Sequence, residues 1–347
     1  MHSTLRSCLA DLHDRIDQRQ EEYSRTAWID FLEGRCQTDI FTPPPRTSAA
    51  PTVPWPSPTV NAAMSDPDSM LLQQLRMCSD LLAAGGRNRL AVRCNYGTGI
   101  IPSLFGCELF FMNEKLDTLP TAVPLGTAKI KDLIDRGVPN IRSGLGATVF
   151  ETAQRFLDVF REYHAIGRHV ALYHPDVQGP IDAAEVIWGS DIFLAVYDQP
   201  DLLRQFLALI TETYIAFMRE WYRLVPRTSE YSVHWGLMHK GALMLRNDSL
   251  MNLSPDFYVE FVRPLDQRLF DEFGGGAVHF CGRGDHYIQP MSQMRGLHAV
   301  NLSQPRLNNM QTIFRNTVDK GIKIIGLDAD AAITAGRPLR GHVHCSD

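Results

Sequence analysis

The stretch 274-GGGAVHFCGRGDHYI-288 runs from three glycines through a short apolar segment to His279 and Cys281, with Gly282, Arg283, Gly284, Asp285 and His286 behind them. Glycines ahead of such a segment mark a turn into a strand, and residues two apart on a strand share a face. An imidazole and a thiol would therefore leave one strand end together, and zinc accepts both donors. Two other readings compete with a metal-binding strand end. The glycine run could cradle phosphate, although no Lys-Ser/Thr follows it. The plainest alternative is a capped histidine beside a buried cysteine. The Arg283-Gly284-Asp285 triplet matches an adhesion peptide by chance.

Outward from this stretch the same rhythm repeats. RLAVRCNYG, HVALYHPD, ALMLRNDS, LHAVNLSQP and IKIIGLD are short apolar runs, each closing on polar residues or glycine. Helical patterns separate most of them, two opening at Gln199-Pro200 and Ser254-Pro255 with proline in the first turn. Alternation of this kind over about 250 residues predicts a parallel sheet with helical crossovers. No dinucleotide fingerprint follows the first strand, and Gly144-Leu145-Gly146 lacks the third glycine. The expected fold is therefore α/β, a (β/α)8 TIM barrel, rather than a doubly wound sheet.

Upstream, residues 4–33 read as an amphipathic helix, and 66–84 as a second one stopped by Gly85-Gly86. Between them lies TPPPRTSAAPTVPWPSPTV, with six prolines from Pro43 to Pro56. Such a segment is extended and wraps a surface. The expected organisation is an N-terminal helical and proline-rich extension over 1–85 and a barrel over 86–347.

A chain of 347 residues, 44% hydrophobic and 21% charged, has ample apolar surface for a core. Its net charge of −5, with no local cluster of Lys and Arg, argues against nucleic acid or anionic lipid as a partner. The seven scattered cysteines are odd in number, which suits reduced thiols in a cytoplasm. The N-terminus carries too many charges for a signal peptide, and no apolar run reaches membrane-spanning length.

Barrel enzymes place their chemistry where strands end, so the residues after each apolar run are the site candidates. They are Arg93, Asn95 and Tyr96; His174, Asp176 and Gln178; Arg246, Asn247 and Asp248; His279 and Cys281; Asn301 and Gln304; and Asp328. Together they describe a lined pocket rather than a set of solvated turns. Asp176 and Asp248 are the candidate catalytic acid/base pair, or caps of the helices that follow. His234, His239, His342 and His344 have no metal spacing and default to core or surface histidines.

The series 175-PDVQGPID-182, 247-NDSLMNLSPDFYVEFVRPL-265 and 278-VHFCG-282 resembles the uroporphyrinogen decarboxylase superfamily of (β/α)8 barrels. That group also contains zinc-dependent methyltransferases serving corrinoid proteins and thiols. The resemblance spans about Arg89 to Leu327, and the methyltransferase branch is the nearer one. It implies zinc held by His279, Cys281 and a later cysteine. The last strand, 324-IIGLD-328, has no cysteine, so Cys345 stands as the third ligand. Of the strand-end residues, Arg93, Asn95, Tyr96, His174, Gln178, Asn247 and Gln304 are the expected substrate-binding groups, with Arg93 pairing with a carboxylate in the methyltransferase branch. The alternative branch implies metal-free decarboxylation of a tetrapyrrole or polycarboxylate, with Arg93 and Asp248 as binding groups. Its arginine-rich string is not matched by 89-RLAVRCNYGTGIIPSLFG-106. A third reading is a barrel that binds a small molecule or corrinoid without catalysis. The expected partners are a small-molecule substrate, a corrinoid protein and a second copy of the chain packed through the N-terminal segment.

Overall fold

The computed structural model describes residues 3–112 and 115–345. The N-terminal pattern resolves into two helices, Ser3–Arg15 and Gln18–Leu32, because Asp17 accepts from the N–H groups of Arg19 and Gln20 and starts a new helix. The helix Pro67–Ala84 ends at Gly85, whose φ of 67° closes the last turn. Residues 42–59 are extended and lie clamped to these helices. Asp11 accepts from Thr52 N–H at 2.7 Å and Trp55 Nε1–H at 2.9 Å. Buried Arg46 reaches Glu21 at 2.5 Å, and Arg89 reaches the same carboxylate at 3.1 Å.

Strand β1 (Ile40–Phe41) precedes the proline segment, and β2 (Ala91–Val92) follows the Pro67–Ala84 helix. β3 (Leu109–Phe110) and β4 (Thr121–Ala122) form an antiparallel hairpin, after which come three helices and β5 (Ala171–Leu172). β6 (Tyr231–His234) and β7 (Leu237–Lys240) form a second hairpin, leading into β8 (Leu243–Arg246), β9 (Gly276–Phe280), β10 (Leu297–Leu302), β11 (Lys323–Leu327) and β12 (Val343–Cys345). Six of these make one parallel sheet in the order β1-β12-β11-β10-β9-β8, and β2 pairs with β5 in a separate parallel pair. Of the eight strands expected in a ring, six pair in this one sheet and two in the separate pair. Gly179 N–H to Arg246 O (2.9 Å) and Met244 N–H to His174 Nε2 (3.2 Å) tie the chain beyond β5 to β8.

Alternation decides what each face of the sheet meets. Leu243, Leu245, Val278, Val300 and Ile324 join the core that includes the helices. Met244, Ala277, Ala299 and Ile325 point the other way, onto Leu237 and Met238 of the β6–β7 hairpin and onto Trp28 and Phe31. Both faces are covered, as a parallel sheet requires. The segment before residue 86 supplies strand β1 as well as helices, since Ile40 pairs with Val343.

The helix opening at Ser254 starts as expected, the serine side chain accepting from Phe257 N–H. It then widens into a π-helical turn over Tyr258–Val262 before resuming as Arg263–Phe273. Pro264 has no N–H to give to the carbonyl four residues earlier, which accounts for the insertion. No helix among the described residues is long and apolar enough to cross a membrane. None of the seven cysteines is paired.

Candidate metal centre

His279 is on β9 and Cys281 lies one residue past its end, so the period of two puts them on one face. The distance from His279 Nε2 to Cys281 Sγ is 3.5 Å. Parallel register sets Arg246 of β8 beside His279, and two residues later the chain presents Asp248 to the same spot. Its Oδ1 accepts from Cys281 N–H at 2.7 Å and lies 3.6 Å from His279 Nε2. Asp248, His279 and Cys281 form the one cluster of metal-donor side chains among the described residues, with donor atoms within 4.8 Å of one another.

Neighbouring groups orient this trio. Asn301 of β10 pairs with His279 in the ladder, and its Oδ1 accepts from His279 Nδ1–H at 2.6 Å. Asn301 cannot be turned around, because its Nδ2 donates to Ile325 O at 2.6 Å. The imidazole proton is thereby fixed on Nδ1, and the Nε2 lone pair faces the thiol and the carboxylate. Burial keeps His279 below its ordinary pKa despite the opposing pull of Asp248, so the ring is neutral. Burial also pushes the Cys281 thiol up, with Asp248 adding to it against the Ser303 hydrogen bond.

Asp182 holds the Asp248 turn from behind, accepting from the N–H groups of Asp248 (2.7 Å) and Ser249 (2.9 Å). Burial, then the nearby Asp248 carboxylate, push it up to about 7. The loop after Cys281 needs Gly282, whose φ is +72° and whose missing Cβ would come within 2.6 Å of Met251 Sδ. Gln304 Oε1 accepts from Gly282 N–H at 2.5 Å, and Asn308 Oδ1 accepts from Gly284 and Asp285. The Arg283-Asp285 contact, 2.7 Å, is internal to this turn.

Beside the trio sits a charged cluster. Asp176 is gripped by Arg93, at 2.5 Å, and by Arg246. Burial pushes the Asp176 carboxyl up, but Arg246 and Arg93 outweigh it and hold it below the usual range. Arg246 also lies over the Trp235 ring at 4.7 Å, and Trp235 meets His279 edge-on at 5.0 Å. Trp235 and Gly236 form the two-residue tip of the β6–β7 hairpin, with φ of 52° and 79°. Positive φ at both positions suits such a turn, but a bulky residue there is strained. A cavity of about 430 Å³ adjoins the trio, lined by Asn301, Ser303, Gly326 and Asp328 among others.

The remaining expected residues divide. Gln304 lies at the site, and Gln178 is buried beside Val177, whose carbonyl accepts from Arg246. Asn95 is half-buried, with its Oδ1 unpartnered. Asn247 is spent on buried Asp266, to which its Nδ2 donates at 2.7 Å. Tyr96, expected to bind substrate, is fully buried with its hydroxyl on Thr152 at 2.7 Å, a core position. His174 is likewise structural: Nδ1 donates to Pro175 O and Nε2 accepts from Met244, with burial pushing it down to about 3. Cys345, the expected third ligand, is outside the trio; it pairs with Leu327 in the ladder, and burial pushes its thiol up to about 11. The third member of the trio is Asp248. Asp182, Asn301 as an orienting group, and Trp235 were not singled out as such by the sequence; a Trp-Gly pair between two alternating runs is the one hairpin signal available there.

No family model matches the chain, and no curated protein matches it. Among solved structures it is similar to a methyltransferase from Methanosarcina mazei, at 17% identity and a TM-score of 0.60, over 88% of this chain and 82% of that one. At that identity the likeness establishes a shared fold.

Proposed function

We propose that the chain is a (β/α)8 barrel enzyme of the uroporphyrinogen decarboxylase superfamily that transfers a methyl group between a corrinoid or other carrier and a thiol. In this reading zinc is held by Asp248, His279 and Cys281, with the two-stranded pair completing the ring. The observation that carries it is the convergence of those three donors on one point at two adjacent strand ends. Tetrahedral zinc with bonds of about 2.0–2.3 Å needs ligand atoms about 3.3–3.6 Å apart. The Nε2–Sγ and Nε2–Oδ1 separations, 3.5 and 3.6 Å, agree with that spacing. A neutral imidazole with its lone pair presented, a thiol and a carboxylate are also a donor set that zinc takes. The likeness to a solved methyltransferase supports the reading at the level of the fold.

Zinc bound there supplies the charge that turns a thiol, with a pKa of about 8.5, into a thiolate near neutral pH. The protein's own groups do the rest. Asn301 keeps Nε2 free, Asp182 holds the Asp248 turn in place, and Trp235 walls the trio on one side. Arg93 and Arg246 share one carboxylate, Asp176, which leaves positive charge for a carboxylate on the substrate. The metal-free decarboxylase reading has less support, because it gives the three converging donors no role.

The test is metal analysis of the purified protein. The expected result is about one zinc per chain, lost in Cys281→Ala and sharply reduced in Asp248→Ala. Full loading in both variants would overturn the proposal.

A further inference from the structure

A second cavity, of about 390 Å³, opens at the other end of the strands. It lies against the residues that enter β2, β5 and β8, and one wall is the β6 side of the hairpin. No Asp or Glu lines it, whereas Arg25, Arg89, Arg168 and Arg227 do. Two of these guanidinium groups are answered from behind, Arg89 by Glu21 at 3.1 Å and Arg168 by Glu22 at 3.2 Å. Arg25 and Arg227 enter no ion pair or hydrogen bond among the described residues.

The cavity wall also holds unpaired polar atoms. His169 and His234 are 4% and 1% exposed, and the Nε2 of each has no partner. For His234 the tautomer is set by a relay. His239 donates from Nδ1 to Lys240 O at 3.0 Å, so its Nε2 accepts from His234 Nδ1–H at 2.8 Å, and His234 Nε2 is left as an acceptor. Leu157, Phe160 and Val225 give the same cavity an apolar side. Its volume falls within the range of small-molecule sites.

The geometry points to a second binding site, distinct from the metal centre, for a phosphate monoester with an apolar body. The phosphoryl group pairs with Arg25 and Arg227, and the body lies along Leu157, Phe160 and Val225. Two free guanidinium groups favour a dianion with several acceptor oxygens over a single carboxylate. An inorganic ion would leave the apolar side unused.

The experiment is calorimetric titration of the full chain with phenyl phosphate, benzoate and inorganic phosphate, in low and high salt. Phenyl phosphate is expected to bind saturably, about tenfold tighter than either comparison ligand, and more weakly as salt rises. Arg25→Gln and Arg227→Gln should each weaken it by about tenfold or more, while Arg204→Gln, near the far end of the Pro200–Leu224 helix whose last turn lines the cavity, leaves it unchanged. Neither Arg25 nor Arg227 is bonded in the fold, so unchanged melting temperatures will show that the variants are intact. Absence of saturable binding, equal binding in the two variants, or benzoate or inorganic phosphate binding as tightly as phenyl phosphate would overturn the proposal. Its outcome is independent of zinc content.

Discussion

His279 at the rim and His234 next to the tip of the neighbouring hairpin are both buried, both neutral, and both committed through Nδ1 to a neighbour. Their surroundings differ completely. His279 Nε2 faces a thiol and a carboxylate carried on two adjacent strand ends. His234 is surrounded by rings: His174 at 4.2 Å, Tyr173 and His239 each at 5.0 Å, with its Nε2 unpartnered. The lower region has more imidazoles than the upper one, yet it makes no metal cluster among the described residues. What separates a candidate ligand from a core histidine here is the anionic company that parallel register brings to it, and the density of histidines is no guide.

The sharpest way to break this contrast is to remove each ring in turn. His279→Ala should reduce bound zinc from about one per chain to near none, whereas His234→Ala should leave the metal content unchanged. Loss of zinc in both variants would mean that the two regions act as one. Next in size is the orienting amide. Asn301→Ala frees the His279 ring to turn and to change tautomer, so zinc affinity should fall about 10–100-fold, measured by competition with a chelator. An unchanged affinity would show that the ring is held by Trp235 alone.

How much of this contrast could be read from the chain depends on the distance over which each feature is made. The strands β8 to β11 were legible because runs such as AVHFCG and IKIIGLD are local. β1 and β12 were not, since the two residues Ile40–Phe41 become a strand only when Val343–Cys345 arrives from the far end of the chain. The His279–Cys281 pair was legible because a strand's period of two is local as well. Asp248 was legible as a polar strand end but not as the third donor: it lies on a different strand, and only the register Arg246 against His279 brings it in. Asn301 is in the same position. Asp182 reads as an ordinary acidic residue in the first turn of its helix, and nothing local says that it holds up another strand's turn. Tyr96 follows an apolar run like the other strand-end residues, and nothing local says that its hydroxyl is bonded to Thr152 on a helix.

The histidine floor should also behave differently in acid. Burial, the leading cause, pushes His174 down to about 3 and His239 down to about 4, and lowers His234 well below its ordinary value. In the unfolded chain each takes up a proton near pH 6.5, so between about 6.5 and 4 the unfolded state binds more protons than the folded one. Stability therefore falls as pH drops through that window. His239→Gln keeps an acceptor for His234 and a donor for Lys240 O while removing one such group. Between pH 7 and 5 the variant should lose on the order of 1–2 kcal/mol less stability than the wild type, measured by denaturant titration of chelated protein. Parallel pH curves would show that the floor does not govern acid sensitivity.

The smallest expected effect is at Cys345, and it bears on which thiol belongs to the metal. Cys345 and Cys281 are both half-exposed cysteines at the carboxyl ends of parallel strands. Cys281 has an imidazole nitrogen at 3.5 Å and a carboxylate on its own N–H. Burial, then the Asp328 carboxylate, push the Cys345 thiol up to about 11, and it adjoins neither His279 nor Asp248 in the cluster of donors. Cys345→Ser should therefore change zinc affinity by less than about twofold, within the ±0.5 kcal/mol typical of substitutions away from a site. A tenfold loss would mean that the β12 strand end moves toward the trio when metal binds, and that Cys345 displaces Asp248 as the third donor.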